Sequence, residues 1–246
     1  MRYRANYCAY RGINRAAVPC RGSERARRRE RHAIAVGHRI HGAIEGYAAE
    51  IVRLIGEAYD SDTVQTAWHE FTGWQSDTFQ GCELNAELFF SWLFHEWVPL
   101  RERGHKVRDE ALYGIPPTQA YLDRYSFRIN PILHTYLEAC ITTSPRFYEV
   151  LRCTAGIGFQ VRDVFTGTVC CVSEALASTT LAAGHILYAH LVPIGRIVLM
   201  EAISPFSFPP HSKGRLLQLS PRCRPPAPVA ADLRRLYFEL YAIALR

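Results

Sequence analysis

Two His-Glu dipeptides are the residues of this sequence whose types are best suited to chemistry. They are His69-Glu70 and His95-Glu96. An imidazole beside a carboxylate can move protons near neutral pH, and both groups are common metal ligands. Neither dipeptide is followed by the second histidine of an H-E-x-x-H motif, so the zincin spacing is absent. If two helices bring these four residues together, they are candidate catalytic residues or a carboxylate-and-imidazole metal site. Surface or half-buried histidines are the favoured alternative.

No other stretch carries a catalytic or cofactor signature. The chain has no G-x4-G-K-[ST] loop and no G-x-S-x-G elbow. The segment 156–161, GIGFQV, supplies two of the three glycines of a dinucleotide fingerprint, but it lies between predicted strands, where a hairpin turn is expected. We therefore predict no cofactor and no metal site.

The N-terminal segment 1–31 is strongly basic. It contains ten arginines and two glutamates, a charge of +8, which leaves −2 for the remaining residues of a chain whose total is +6. Basic segments attract polyanions through counterion release. We predict contact with RNA, the ribosome or another acidic partner, and a solvated tail is the alternative. The residues expected to make this contact are Arg21, Arg25, Arg27, Arg28, Arg29 and Arg31.

The cysteines and the apolar segments predict a cytoplasmic protein without a membrane partner. Eight cysteines are present without a C-x2-C pair, which is typical of neither a zinc ribbon nor a secreted disulfide scaffold. We expect reduced thiols, most of them packed as small apolar groups. The densest apolar segment, 88–98, is too short for a bilayer, which needs about 20 residues.

The elements that must position these side chains are helical in the first part of the chain. Apolar residues recur at steps of three and four along 24–59, which predicts one long helix. A further helix is expected near 62–74. The segment 88–98 is apolar on nearly all sides, so it predicts a buried central helix that ends at Pro99, with His95 and Glu96 toward its exposed edge. Two more helices are expected between 117 and 142.

From residue 146 onward, the residue pattern predicts strands instead of helices. Five short segments rich in Val, Ile, Phe and Tyr, separated by glycine turns, predict an antiparallel meander or small barrel. Its aromatic rings would stack nucleic-acid bases or fill a barrel core, and the core interpretation is favoured. The rings are Phe147, Tyr148, Phe159, Phe165 and Tyr188, accompanied by Arg146, Arg152 and Arg162.

The predicted fold class is α+β, with a helical N-terminal part, a small antiparallel β module and a C-terminal helix. The predicted organisation is a basic arm at 1–31, a helical domain at 32–145, a β module at 146–210, a Pro-rich linker at 211–230 and a docking helix at 231–246.

Several segments in order carry a family resemblance. They are ELFFSWLFHEWVP, SPRFYEVLRC, VRDVFTG and AAGHILYAHLVPIGRIVLMEAISPFSFPP. This order resembles bacterial proteins that carry a SEC-C motif, the small Cys-rich zinc element also found at the tail of the SecA motor. That element has the form C-P-C-G-S-G, of which Cys20, Gly22 and Ser23 match parts. One Cys and one nearby His, His32, cannot complete a four-coordinate zinc site, so the resemblance implies no zinc here.

The resemblance implies no reaction, because the body of this family has no agreed one. The leading prediction is a non-enzymatic binding or adaptor protein whose basic arm contacts an acidic partner. The alternative is a hydrolase that uses His69, Glu70, His95 and Glu96. A third possibility is an eroded homologue that has kept no ligand.

Overall fold

The computed structural model describes residues 39–74, 78–81, 83–219 and 229–244. The first described helix, α1, covers 39–44, and α2 covers Tyr47–Ala58. The two are separated by a turn in which Gly46 has a φ of 86°, a left-handed conformation that favours glycine. The prediction of one continuous helix is therefore wrong at this glycine, and residues 24–38 lie outside the described ranges.

The helical part continues as predicted in type and order. The remaining helices before the strands are α3 over Ser61–Thr72, α4 over Ala86–His95, α5 over Pro117–Tyr125 and α6 over Pro131–Thr142. Asp60 caps α3 and Asn130 caps α6 by accepting a backbone N–H three residues later. Prolines at the first turns of α5 and α6 suit a position where no intrahelical N–H is needed.

Helix α4 is the buried central helix that its composition predicts. Leu88, Phe89 and Leu93 are almost completely inaccessible to solvent. The helix ends at His95, before Pro99, and His95 itself is only 1% exposed. The expectation that His95 lies at an exposed edge is therefore wrong, because the barrel covers this side of the helix.

Five strands form a closed barrel. They are β1 over Arg146–Thr154, β2 over Gly158–Asp163, β3 over Val169–Val172, β4 over Ile186–Ile194 and β5 over Ile197–Ile203. Around the ring the order is β1-β2-β3-β5-β4, and β4 closes against β1. The spatial order β4-β1-β2-β3 is that of a Greek key. A short helix, α7, over Ala177–Thr180 connects β3 to β4.

The β3–β5 pairing is parallel, so the prediction of a purely antiparallel module is wrong at this point. The reason is one of parity: neighbouring strands cannot alternate in direction all the way around a closed ring of five. The parallel pairing is also the shortest. It has one paired position, Val172 with Val198, beside a hydrogen bond of 2.9 Å from the Ser173 N–H to the Val198 carbonyl.

The barrel has its own interior and shares a second core with the helices. Inward-facing Tyr148, Val150, Val161 and Leu187 fill the barrel. The opposite faces of β1, β4 and β5 pack into the core that contains the helices. The contacts of α4 and α6 with the barrel are on β4 and β5. The outer side of β2 and β3 is left to solvent at its alternate residues.

Two helices are present among the described residues of the C-terminal part. Helix α8 over Ser212–Leu219 lies inside the predicted linker 211–230, and its Leu216 is buried. Residues 220–228 of that linker lie outside the described ranges. Helix α9 over Ala230–Ala244 matches the predicted docking helix and buries Leu233, Leu236 and Tyr237. Within the described ranges, no helix combines the length and apolar character needed to span a bilayer.

Candidate functional site

A cluster of polar side chains is enclosed between the helices and the barrel. Its members are Tyr47, His95, Tyr136, Cys140 and Glu201, which we call the buried centre. His95 is the last residue of α4, and Glu201 lies on β5. The Nε2 atom of His95 is 3.3 Å from Oε1 of Glu201. The arrangement therefore pairs an imidazole with a carboxylate that is 106 residues away in the sequence.

A β-bulge places Glu201 in this cluster. On β4 and β5, His190 pairs with Ala202 and Leu191 pairs with Met200, so Glu201 is the extra residue between two pairs. A bulge turns a side chain away from the regular alternation of a strand and is often found beside functional sites. Here it directs the carboxylate toward the helices, where its side chain is 9% exposed.

Both phenols of the centre donate to Glu201. The Tyr47 hydroxyl donates to Oε1 at 2.5 Å, and the Tyr136 hydroxyl donates to Oε2. Burial by itself would raise the pKa of Glu201, but the hydrogen bond and charge of His95, with the two tyrosine hydrogen bonds, outweigh it and lower the pKa. Glu201 is therefore held as a carboxylate inside the protein. On the other side of His95, the Thr118 hydroxyl lies 2.9 Å from Nδ1 and fixes the ring.

A second histidine, His190 on β4, is bound by two hydroxyls. Thr143 donates its hydroxyl hydrogen to the Ala139 carbonyl at 2.7 Å, so its oxygen accepts from Nε2 of His190 at 2.9 Å. The other ring nitrogen then accepts from the Ser91 hydroxyl at 2.8 Å. Burial, and then the charge of His95, lower the pKa of His190 to about 3. This imidazole is therefore neutral.

The four sequence-predicted catalytic residues have separate surroundings. His69 stacks on Trp74 with a centroid distance of 4.9 Å. Glu70 accepts from the Trp97 indole at 2.9 Å and from Arg103 at 3.1 Å. His95 has Glu201 as its carboxylate partner, not a member of either predicted dipeptide.

Glu96 points into a different environment from its neighbour. Its Oε1 is buried without a hydrogen-bond partner among the described residues. Burial raises the pKa of Glu96 to about 7, opposed by the positive charge of Arg234. Arg234, on α9, lies over the Trp92 ring at 4.6 Å. Together with apolar side chains, these groups line a narrow crevice beside α9.

A contrasting set of residues lies on the outer side of the barrel. We call it the β2–β3 face, and its members are Glu149, Arg152, Gln160, Arg162, Val169 and Cys171. Strand register places them in two rows. Arg152, Gln160 and Cys171 are paired across the three strands, and so are Glu149, Arg162 and Val169.

Side-chain contacts confirm that these residues share one face. Gln160 lies 3.8 Å from the Cys171 sulfur, and Arg162 lies 3.7 Å from Glu149. Glu149 also accepts from Lys213 of α8 at 2.8 Å. The Arg162 side chain is 45% exposed. The face and the adjacent Lys213 together therefore carry three cationic side chains and one carboxylate.

The aromatic rings of the barrel are not on this face. Tyr148 and Phe159 are buried inside the barrel, as the core interpretation predicted. Phe147 and Tyr188 are buried instead in the core shared with the helices, against which the partly buried Phe165 packs. Arg146 is bound to Asp163, whose other carboxylate oxygen accepts the N–H groups of Phe165 and Thr166 at 2.8 Å each. The VRDVFTG segment is therefore a structural turn.

Several predictions fall outside the described ranges. The basic segment 1–31, with Arg21, Arg25, Arg27, Arg28, Arg29 and Arg31, is one of them, and the SEC-C-like stretch from Cys20 to His32 is another. The sequence analysis also missed Cys140 and Glu201. Glu201 offered a signal, because it is the single acid in the apolar segment IVLMEAI. Cys140 offered none beyond its helical position.

Comparisons with known proteins give this chain no family. No known protein family, curated protein or solved structure matches it. The resemblance to SEC-C-associated proteins stays a prediction.

Proposed function

We propose that this protein binds single-stranded nucleic acid, in the first place RNA, through the β2–β3 face, and that the Arg-rich segment 1–31 strengthens this binding. The observation that carries the proposal is the β2–β3 face itself. Helices α4 and α6 pack on β4 and β5 instead of on this face, which bears two solvent-exposed arginines, Arg152 and Arg162.

The barrel architecture supports this choice of ligand. A five-stranded Greek-key barrel is the architecture of the OB fold, which binds oligonucleotides on strands 2 and 3 and on the loops β1–β2 and β4–β5. In this protein those two loops lie at one end of the face, because Phe159, Val172 and Val198 are paired in one row next to them. Arg196 is exposed in the β4–β5 loop. This support is an analogy of architecture, and the remaining support for a nucleic-acid ligand comes from the charges of the face.

Charge supports a polyanion as the ligand. Arg152, Arg162 and Lys213 outnumber the single carboxylate of Glu149 on and beside the face. The segment 1–31 adds +8, while the remainder of the chain sums to −2. Cationic side chains that neutralise phosphates release counterions, so such binding weakens as salt increases.

The hydrolase alternative has less support from the geometry. His95 is 1% exposed and is bonded on both ring nitrogens, to Glu201 and to Thr118. Glu70 is bonded to Trp97 and Arg103, away from that pair. A substrate would have to reach side chains that are already enclosed and hydrogen-bonded to one another.

The test is fluorescence anisotropy with a labelled single-stranded RNA over a salt series. Three full-length variants would be compared with the native chain. One carries Arg152→Gln and Arg162→Gln on the face. One carries glutamines at Arg25, Arg27, Arg28, Arg29 and Arg31. A matched control carries Arg53→Gln and Arg128→Gln, two exposed arginines of the helical part.

We expect the face variant and the arm variant each to bind more weakly and to show a shallower salt dependence, by roughly one unit of slope for each phosphate that is no longer neutralised. The control should bind like the native chain. The proposal of a β2–β3 binding face is overturned if the native chain does not bind at low salt, or if the face variant and the control show equal reductions in affinity. Weaker binding by the arm variant alone would also overturn it and would leave the basic segment as the binding element.

A further inference from the structure

Three side chains of the buried centre are of types that bind metal ions. The His95 imidazole, the Cys140 thiol and the Glu201 carboxylate each offer one ligand atom, and these atoms all lie within 4.8 Å of one another. They come from the end of α4, from α6 and from the bulge on β5. The three elements are held by the core around them, so the grouping is fixed by the fold.

We infer that His95, Cys140 and Glu201 bind a divalent transition-metal ion of the zinc type. Nitrogen, sulfur and carboxylate oxygen are the ligand set of tetrahedral zinc sites, and the hard ions Mg²⁺ and Ca²⁺ prefer oxygen alone. Two ligands at about 2.1 Å from a tetrahedral ion are separated by roughly 3.4 Å. His95 Nε2 and Glu201 Oε1 are 3.3 Å apart, close to that spacing.

The surroundings of the three side chains match those of a metal site. Metal-bound imidazoles usually donate their second N–H to an oxygen, which fixes the ring. Here the Thr118 hydroxyl lies 2.9 Å from Nδ1 of His95, which leaves Nε2 toward the centre. The two phenols hold the Glu201 carboxylate in the same way. Each ligand therefore has an orienting partner or is packed in the core.

Binding has a defined proton balance. Zinc binds thiolate, so the Cys140 thiol must release its proton to solvent as the metal–sulfur bond forms. The imidazole binds as the neutral ring, so the proton on Nε2 that faces Glu201 must also leave to solvent, while Nδ1 keeps its proton toward Thr118. The carboxylate is already ionised. The complex of a 2+ ion with one thiolate and one carboxylate has no net charge, which suits a site with Cys140 0% exposed. Tyr136, one turn before Cys140, is bonded to Glu201.

The test uses cobalt as a spectroscopic replacement for zinc in the full-length protein. The chain would be stripped with a chelator and titrated with Co²⁺ without oxygen. We expect a near-ultraviolet thiolate-to-cobalt absorption band and intense visible bands of tetrahedral cobalt. Added Zn²⁺ should remove both. The Cys140→Ser variant should lack the thiolate band, and Cys171→Ser, which changes an exposed cysteine of the barrel, should keep it.

A second variant keeps the test decisive if Cys140→Ser does not fold. Glu201→Gln preserves the size of the side chain and its carbonyl can still accept from a tyrosine. It should weaken cobalt binding by at least about tenfold, since even partners outside the first shell contribute factors of that size. The inference is overturned if the native chain shows no thiolate band, if the band persists in Cys140→Ser, or if Glu201→Gln binds cobalt like the native chain. None of these outcomes depends on RNA binding.

Discussion

The buried centre and the β2–β3 face lie on different sides of one barrel, and each includes at least one side chain that points outward from a strand. Glu201 leaves β5 toward helices α4 and α6 and is enclosed. Arg162 leaves β2 toward solvent and stays 45% exposed. The same barrel therefore supports a low-dielectric pocket on one side and a hydrated charged surface on the other.

The difference shows that burial by neighbouring elements, rather than residue type, decides how strongly a carboxylate depends on its partners. The Glu201 carboxylate is kept ionised by three donors in the interior. Glu149 on the face is 19% exposed and forms ion pairs with the more exposed Lys213 and Arg162. The first arrangement depends on every partner, because an unpaired buried charge is costly. The second depends little on any one partner, because exposed ion pairs contribute about 1 kcal/mol or less.

The largest loss of stability is expected at Glu201, and it would sharpen the contrast between the buried centre and the β2–β3 face. Glu201→Ala removes the acceptor of two buried phenols and of His95, and we expect a decrease of about 3–5 kcal/mol in the free energy of unfolding. Urea denaturation followed by circular dichroism measures it. Glu149→Ala on the exposed face is the matched control and should cost less than about 1 kcal/mol. Equal decreases in the two variants would contradict the contrast.

A smaller decrease is expected at Ser91. Ser91→Ala leaves Nδ1 of the neutral, buried His190 without its donor, and an unsatisfied buried acceptor costs about 1–3 kcal/mol. The same denaturation measurement applies. Replacing Ser212, at the start of α8, by alanine changes the same chemical group outside this network. A Ser91→Ala protein as stable as the native chain would mean that His190 does not depend on this bond.

The two regions should also differ in thiol chemistry. Cys171 is exposed on the β2–β3 face, and Cys140 is buried, with a pKa raised well above its usual range by burial and by the Glu201 charge. We expect a thiol reagent to modify Cys171 in the folded protein and Cys140 only after unfolding, as read by mass spectrometry of peptides. Saturating single-stranded RNA should slow the modification of Cys171 several-fold. Unchanged modification in the presence of bound RNA would place the ligand elsewhere.

The smallest effect concerns stability at the face. Gln160→Ala removes a partly exposed side chain whose contact is the 3.8 Å approach to the Cys171 sulfur. Surface changes of this kind stay within about 0.5 kcal/mol. A larger decrease in stability, measured by thermal or urea unfolding, would show that the face contributes to the fold and is not a free surface.

The sequence predicted the helices and strands better than it predicted the strand pairing that closes the barrel. Helix α4 follows from its continuous apolar composition, and α6 follows from its Asn130 cap and first-turn proline. The strands follow from their β-branched residues and turns. The parallel join of β3 with β5 could not follow from local pattern, because it results from where β4 returns beside β1.

The candidate sites were predictable only in part. His95 was identified by type, but its partner Glu201 lies on another element, and a bulge in the β4–β5 register brings the two together. No local periodicity encodes a bulge of that kind. The β2–β3 face was not predicted: Arg152 and Arg162 were considered only beside the aromatic rings, for which the core interpretation was favoured. Which side of the barrel the helices cover is a tertiary property that one sequence does not display.

The single paired position between Val172 and Val198 gives the barrel a seam. A ring held by long pairings elsewhere and by one pair here is expected to open locally at that place first, with amide hydrogens near the join exchanging sooner than those between β1 and β2. When the seam parts, β3 becomes an edge strand with unpaired backbone groups. The closed barrel thus contains a latent sheet edge, next to the surface on which a ligand is expected.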